Sequence, residues 1–255
     1  MKFTEQLPYA QLIPLLSEWF DSPLGQELLQ QEQTFAEQVL PTLFGYHLLQ
    51  VGWDHRQCLF SASPVSRKVM LIPQMQLGAD KRTLVAQPSE LPVVSSEIDV
   101  VILHHALDYA DNPHQVLREA ARVLRPGGHL LSFSFNPASY WGLWRYFKRR
   151  TPPLWSGHFI GQGRLHDWLG LLQMTELKTR SACHHLPLES LHWRRRLGLF
   201  ECCSRRLPLH SGAALMVLAR KDVAGMTPLR PEWKQKRLLG MPVAEPKPTA
   251  RGKSI

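Results

Sequence analysis

Long hydrophobic stretches are missing from this chain of 255 residues: the longest unbroken apolar run, Ala213 to Ala219, is far short of a membrane span. Such a span needs ~18 consecutive apolar residues. An apolar leader is missing too, since Glu5 comes early and no hydrophobic core follows it, so no secretory signal is expected. Cysteine is scarce. Of the four, Cys202 and Cys203 are adjacent, Cys58 and Cys183 stand alone, and no C-x-x-C occurs. That excludes a disulfide framework and points to a reduced, cytoplasmic protein without a transmembrane segment. The Cys and His residues between Cys183 and His210 match no zinc spacing, so no metal site is expected.

Acids are absent from Asn136 to His166, where Arg145, Lys148, Arg149, Arg150 and Arg164 contribute +5. From Gly225 onward seven cations face only Glu232 and Glu245, another +5, so the rest of the chain is almost neutral within a net charge of +9. The basic character therefore belongs to one internal segment and one tail. Five prolines after Asp222 make that tail extended rather than folded.

What is present is a globular composition, 44% hydrophobic and 20% charged, sufficient for one large domain with additions. The first 45 residues are helical in pattern. Asp21-Ser22-Pro23 opens a helix, Leu28, Leu29, Phe35, Val39 and Leu40 recur at helical spacing, and Pro41 and Gly45 close it. Apolar runs at His47–Gly52, Lys68–Ile72, Thr83–Ala86 and Ile98–Leu103 read as strands, the last apolar on both faces as in a covered parallel sheet. Asp111 or Asn112 caps a helix whose face is Val116, Leu117, Ala120, Val123 and Leu124; Pro126-Gly127-Gly128 ends it, and His129–Phe135 is the next strand. That is a βαβ unit. A further helix from Arg164 to Leu172 and a last strand from Gly212 to Arg220 complete the pattern. The fold class is α/β, doubly wound, organised as an N-terminal helical segment (1–45), a main domain (46–222) with an aromatic and basic insertion (136–166), and a basic tail (223–255).

The text from Leu91 to Phe133 resembles the second half of a class I S-adenosylmethionine-dependent methyltransferase domain of the type-11 group. The resemblance rests on Leu91-Pro92, Ile98-Asp99-Val100-Val101, Leu107, and the run from Val116 to Leu124-Arg125-Pro126-Gly127-Gly128. Gly25, Gly45, Gly52, the helix Arg164–Leu169 and Ala219-Arg220-Lys221 fall where that domain places its parts. Asn136-Pro137-Ala138-Ser139 with Trp141-Gly142 is similar to a bacterial subgroup of these enzymes. The resemblance implies a mostly parallel, seven-stranded, Rossmann-like sheet whose order reverses between the first and fourth strands, and S-adenosylmethionine as cofactor. Ligands bind in the crevice beyond such a switch point, here Gly52-Trp53-Asp54 facing His104-His105.

The chain departs from the family's pattern in three places. Gly52 is followed by Trp53, Asp54, His55 and Arg56 instead of further glycines. Gln74 stands where an acid usually binds the ribose, and Gln87 where one reads the adenine amino group. Each lost charge-assisted hydrogen bond costs ~1–3 kcal/mol of binding. The expected cofactor contacts are accordingly Gly52, Trp53, Asp54, Gln74, Gln87 and His104, with His104, His105 and Asn136 as candidates on the catalytic side. The leading reading is a methyltransferase acting on an unidentified acceptor. The alternative is a degenerate member that keeps the fold without catalysis, serving as a binding or regulatory module. RNA or another polyanion is a candidate partner through Arg145, Lys148, Arg149 and Arg150, whose interleaving with Trp141, Trp144, Tyr146 and Phe147 also suits an aromatic lid over the cleft.

Overall fold

The computed structural model describes residues 8–147, 157–184 and 212–223. Seven strands form one sheet in the order β3-β2-β1-β4-β5-β7-β6. They are β1 (His47–Val51), β2 (Arg67–Ile72), β3 (Thr83–Val85), β4 (Ile98–His104), β5 (Leu124–Phe135), β6 (Met174–Ala182) and β7 (Ala214–Lys221). The first five are parallel to one another, and β7 runs antiparallel to both β5 and β6.

Alternation along the strands explains the two-sided core, because successive side chains point to opposite faces. One face carries Leu48, Met70, Val100, Ile102, Phe133 and Met216. It is covered by α1 (Tyr9–Phe20), by α2 (Pro23–Val39), and by Trp141 of α4 (Tyr140–Phe147). The other carries Leu49, Val51, Val101, Leu103, Leu130 and Val217, covered by α3 (Pro113–Val123) and α5 (Gln162–Leu171). All seven residues of β4 are buried, as the continuous apolar run predicts.

The expected punctuation is present. The Ser22 hydroxyl accepts from the Gly25 amide at 3.3 Å with Pro23 in the first turn of α2, and the Asn112 side chain accepts from the Gln115 amide at 3.2 Å with Pro113 in the first turn of α3. Gly25 lets α2 start hard against the end of α1: a β-carbon there would meet Phe20 Cα and the Trp19 carbonyl at 2.5 Å. The Pro-Gly-Gly turn is corrected in one respect. α3 does end at Val123, but Gly127 takes its left-handed φ of 82° inside β5, where the pairing with β4 slips between Ile98 and Val100. The turn is thus a bulge at the strand's start and not a helix cap.

Two elements go beyond the sequence reading. β6 is an edge strand with a half-exposed pattern and charged Lys178 and Arg180, which break any apolar alternation. α4 follows Asn136 directly, within the expected aromatic insertion. The connections 52–66, 73–82 and 86–97 contain no helix, so the β1–β3 end of the sheet is linked by loops. Among the described residues, no helix is long and apolar enough to cross a membrane. Residues 1–7, 148–156, 185–211 and 224–255 lie outside the described part, and with them the basic cluster Lys148, Arg149 and Arg150, most of the Cys and His residues after Cys183, and the tail.

Candidate functional site

The strand order reverses between β1 and β4, and their carboxyl ends lie side by side. Gly52 continues β1, its amide donating to the Leu71 carbonyl at 3.0 Å. A β-carbon built on Gly52 would meet only Gln50 Nε2 and His104 Cβ, both at 3.9 Å. The fold itself would accept a side chain at this buried position. Next to it, Trp53 is 3% exposed, its ring 4.9 Å from Phe20, and its indole Nε1 has no hydrogen-bond partner. An unfilled cradle and an orphaned buried donor at the switch point fit a ligand with acceptor groups, as S-adenosylmethionine has.

The loop after β1 is held by polar side chains. Gln50, buried in β1, donates to the Gln57 carbonyl at 2.6 Å and accepts from the Leu59 amide at 2.9 Å. Gln76 donates to the Trp53 carbonyl at 2.6 Å and accepts from the His55 amide at 3.1 Å, so this residue, and not Gln74, ties the β1 and β2 loops together. Gln74 and Gln87 are exposed on the rims after β2 and β3. Asp54 is engaged: one oxygen accepts from the Arg56 amide at 2.9 Å, the other from the Arg56 guanidinium at 2.8 Å and the Ser17 hydroxyl at 3.2 Å. Burial alone would raise its pKa, but the Arg56 hydrogen bonds outweigh it and hold the carboxyl below the usual value. Asp54 and Arg56 also border a cleft of about 740 Å³ between this loop and the start of α2, lined further by Asp21, Gln26, Gln30 and Gln57.

At the end of β4, the structure gathers four titratable side chains with no solvent access. Glu32 Oε2 lies 3.1 Å from His104 Nε2, and Glu32 Oε1 lies 2.9 Å from His105 Nε2. Asp108 Oδ2 lies 2.7 Å from His105 Nδ1 and accepts from the Phe135 amide at 3.0 Å. The His105 ring stacks on Phe135 at 4.3 Å. Burial lowers the pKa of His105, yet the Glu32 charge and the Asp108 hydrogen bond overcome this and raise it to about 9. Burial pushes Glu32 up, but the charge of His105 and the hydrogen bonds of both imidazoles bring it down to about 2. Burial dominates for Asp108, raised to about 6, and for His104, lowered.

Of the sequence candidates, the structure therefore brings Gly52, Trp53, His104 and His105 together, with Asp54 on the adjoining loop. Asn136 is 2% exposed and occupied by its own turn, donating to the Gly212 carbonyl at 3.1 Å and accepting from the Ala138 amide at 3.0 Å. Three participants escaped the sequence reading. Gln76 carries no pattern. Asp108 stands three residues after His105, a spacing that would have suggested a pair. Glu32 interrupts the apolar stripe Leu24, Leu28, Phe35, Val39 of α2, and a lone carboxylate on a buried helix face was the available signal.

Comparison with known proteins bears on family and fold. The family model described as a methyltransferase domain matches residues 61–132. The chain is 31% identical over 214 residues to the uncharacterized protein YafS of Escherichia coli (strain K12), covering 82% of each. Among solved structures it is similar to a S-adenosylmethionine-dependent methyltransferase of Thermotoga maritima, with a TM-score of 0.63 at 16% identity over 84% of this chain and 98% of that one. It is also similar to a structure of the Haloferax volcanii Trm112 activator complexed with a methyltransferase, with a TM-score of 0.60 at 16% identity over 86% of this chain and 100% of that one.

Proposed function

We propose that this chain, which belongs to the class I S-adenosylmethionine-dependent methyltransferases and shares its family with Escherichia coli YafS, holds its cofactor over Gly52 and works by positioning. One observation carries the assignment of the site: Gly52 opens opposite His104 at the switch point, where a side chain would fit the fold but would block a ligand. Bound there, S-adenosylmethionine supplies a methyl group on a positively charged sulfur, open to in-line attack by a nucleophile.

The chain's own residues do the rest. Gly52 admits close approach of the backbone, and the Trp53 and Phe20 rings wall the site against water. Gln74 and Gln87 offer neutral amides on the rim where related domains use carboxylates, and Asp54 reaches the ligand only by sharing its oxygens with Arg56. His104 and His105 form the floor. Both Nε2 atoms are taken up by Glu32, and Asn136 by its turn, so these side chains position rather than abstract a proton. Positioning is sufficient for an acceptor that is already nucleophilic, because alignment alone removes ~7–11 kcal/mol of a bimolecular barrier.

A polyanionic acceptor such as RNA, met in the cytoplasm, is the finer reading that the acid-free, five-cation stretch from Asn136 to His166 favours. Retention on a polyanion column that falls with salt supports it; equally weak retention at low and high salt disposes of it.

Calorimetric titration with S-adenosylmethionine and S-adenosylhomocysteine tests the site. The expected result is micromolar binding, weakened at least ~100-fold (about 2.7 kcal/mol) by Gly52→Trp. Absence of binding at millimolar ligand would instead leave a methyltransferase-shaped binding module.

A further inference from the structure

Residue spacing along the chain points to no metal, yet three side chains from two distant segments present ligand atoms to one another. Glu32 on α2 and His104 and His105 at the end of β4 each contribute one donor atom, all within 4.8 Å of one another, and all three residues are buried. We propose that Glu32, His104 and His105 form a binding site for a divalent transition-metal ion, zinc being the ion the donor set fits first.

The donors decide the class of ion. Two imidazole nitrogens and one carboxylate oxygen suit zinc, iron or cobalt, whereas magnesium and calcium take oxygen ligands. Metal–ligand bonds of about 2.0–2.2 Å put donor atoms roughly 3.3 Å apart; Glu32 meets the two imidazoles through different oxygens at 2.9 and 3.1 Å, and the three donor atoms, within 4.8 Å of one another, need only modest shifts to converge on one ion. Three protein ligands are one short of the usual tetrahedral set, and Asp108, with Oδ1 buried and unpartnered, stands beside them.

The backbone is shaped for this convergence. Successive residues of a strand point to opposite faces, and two adjacent histidines could not both reach Glu32 from a regular β4. His105 leaves the strand with φ of 51°, a left-handed conformation unusual for a residue other than glycine, and that turn swings its ring to the same side as His104. The surroundings match as well. Metal-bound histidine characteristically gives its second ring nitrogen to a carboxylate; here Asp108 sits 2.7 Å from His105 Nδ1 and is itself fixed by the Phe135 amide. The remaining oxygen, Asp108 Oδ1, is buried without a partner.

The site stands independently of methyl transfer, and its test uses no cofactor. The full chain is expressed in zinc-supplemented medium, desalted and analysed for metal, then stripped with chelator and reloaded with Co²⁺ as a spectroscopic probe. The expected result is one ion per chain, with visible cobalt bands of a nitrogen/oxygen site and no sulfur charge-transfer band. Glu32→Gln should lower the affinity ~100-fold or more and Asp108→Asn ~10–100-fold. Retention of no ion, a cobalt spectrum dominated by sulfur from the cysteines, or unchanged binding in both variants would overturn the proposal and leave a hydrogen-bonded network alone. If Glu32→Gln does not fold, the wild-type cobalt spectrum and Asp108→Asn decide. Failure here with intact S-adenosylmethionine binding removes the metal and keeps the enzyme; the reverse result keeps the metal site and removes the cofactor.

Discussion

The two ends of the sheet solve the same problem differently. From β4 to β7, helices α3 and α5 bury their apolar faces on one side and α1 and α2 on the other. From β1 to β3, the crossovers are helix-free loops held by side chains that bond to backbone: Gln50 to the 57–59 segment, Gln76 to Trp53 and His55, and the Glu119–Arg122 pair of α3 to Leu91 and Val93. Both ends bury apolar strand residues, Val51, Leu71 and Ile72 among them at the β1–β3 end. The connections of that end are specified in addition by hydrogen bonds, individually worth ~0.5–1.5 kcal/mol. The candidate crevice lies at their junction, beyond the carboxyl ends of β1 and β4.

The largest way to break this comparison is at the junction itself. Glu32→Ala removes the carboxylate shared by two buried imidazoles and should cost about 3–5 kcal/mol in denaturant titration, the usual penalty for stranding a buried charge. Next comes a matched pair of truncations. Leu117→Ala, at 0% exposure on α3, should cost ~2–5 kcal/mol, whereas Leu84→Ala, at 40% exposure on β3, should stay within ~0.5 kcal/mol. Equal effects would mean that the two ends are not differently held. Gln76→Leu should cost a smaller ~1–3 kcal/mol, since it strands the Trp53 carbonyl and the His55 amide; it should also weaken S-adenosylmethionine binding, which Leu117→Ala should not do at temperatures where that variant is folded.

The smallest effect concerns acid. Asp99, at the base of β4, accepts from the Tyr46 and His47 amides and pairs with Arg125 at 2.8 Å. Burial opposes ionisation there, but the Arg125 and amide hydrogen bonds prevail and lower its pKa. A group with a depressed folded-state pKa contributes stability that is complete above the unfolded value of about 3.9 and is lost as pH falls through the folded one. Asp99→Asn should therefore flatten the stability–pH curve below pH ~4, and an unchanged curve would show that other carboxylates govern acid unfolding.

Much of the β4–β7 end was legible because burial on both faces writes itself as apolar runs: Ile98–Leu103, Leu130 to Phe135 and Ala213–Ala219 need no context. The caps Ser22 and Asn112 were legible for the same local reason. β6 was not, because an edge strand shares only one face with the core and its residues follow solvent. Of the candidate crevice, Gly52 and the two histidines follow from the switch point, while Gln76 and Glu32 act across 23 and 72 residues of sequence, a reach that no local pattern encodes.

The distance between Glu32 and His104 also orders events during synthesis. A chain emerging from its N-terminus presents α2 complete long before β4 exists, with an ionised carboxylate in the middle of the face that must later be dry. That charge keeps the early helix hydrated and poorly suited to sticking to anything else. Only the arrival of two imidazoles, 72 residues after Glu32, makes its burial favourable, so α2 is a latch whose key is translated later than the helix itself.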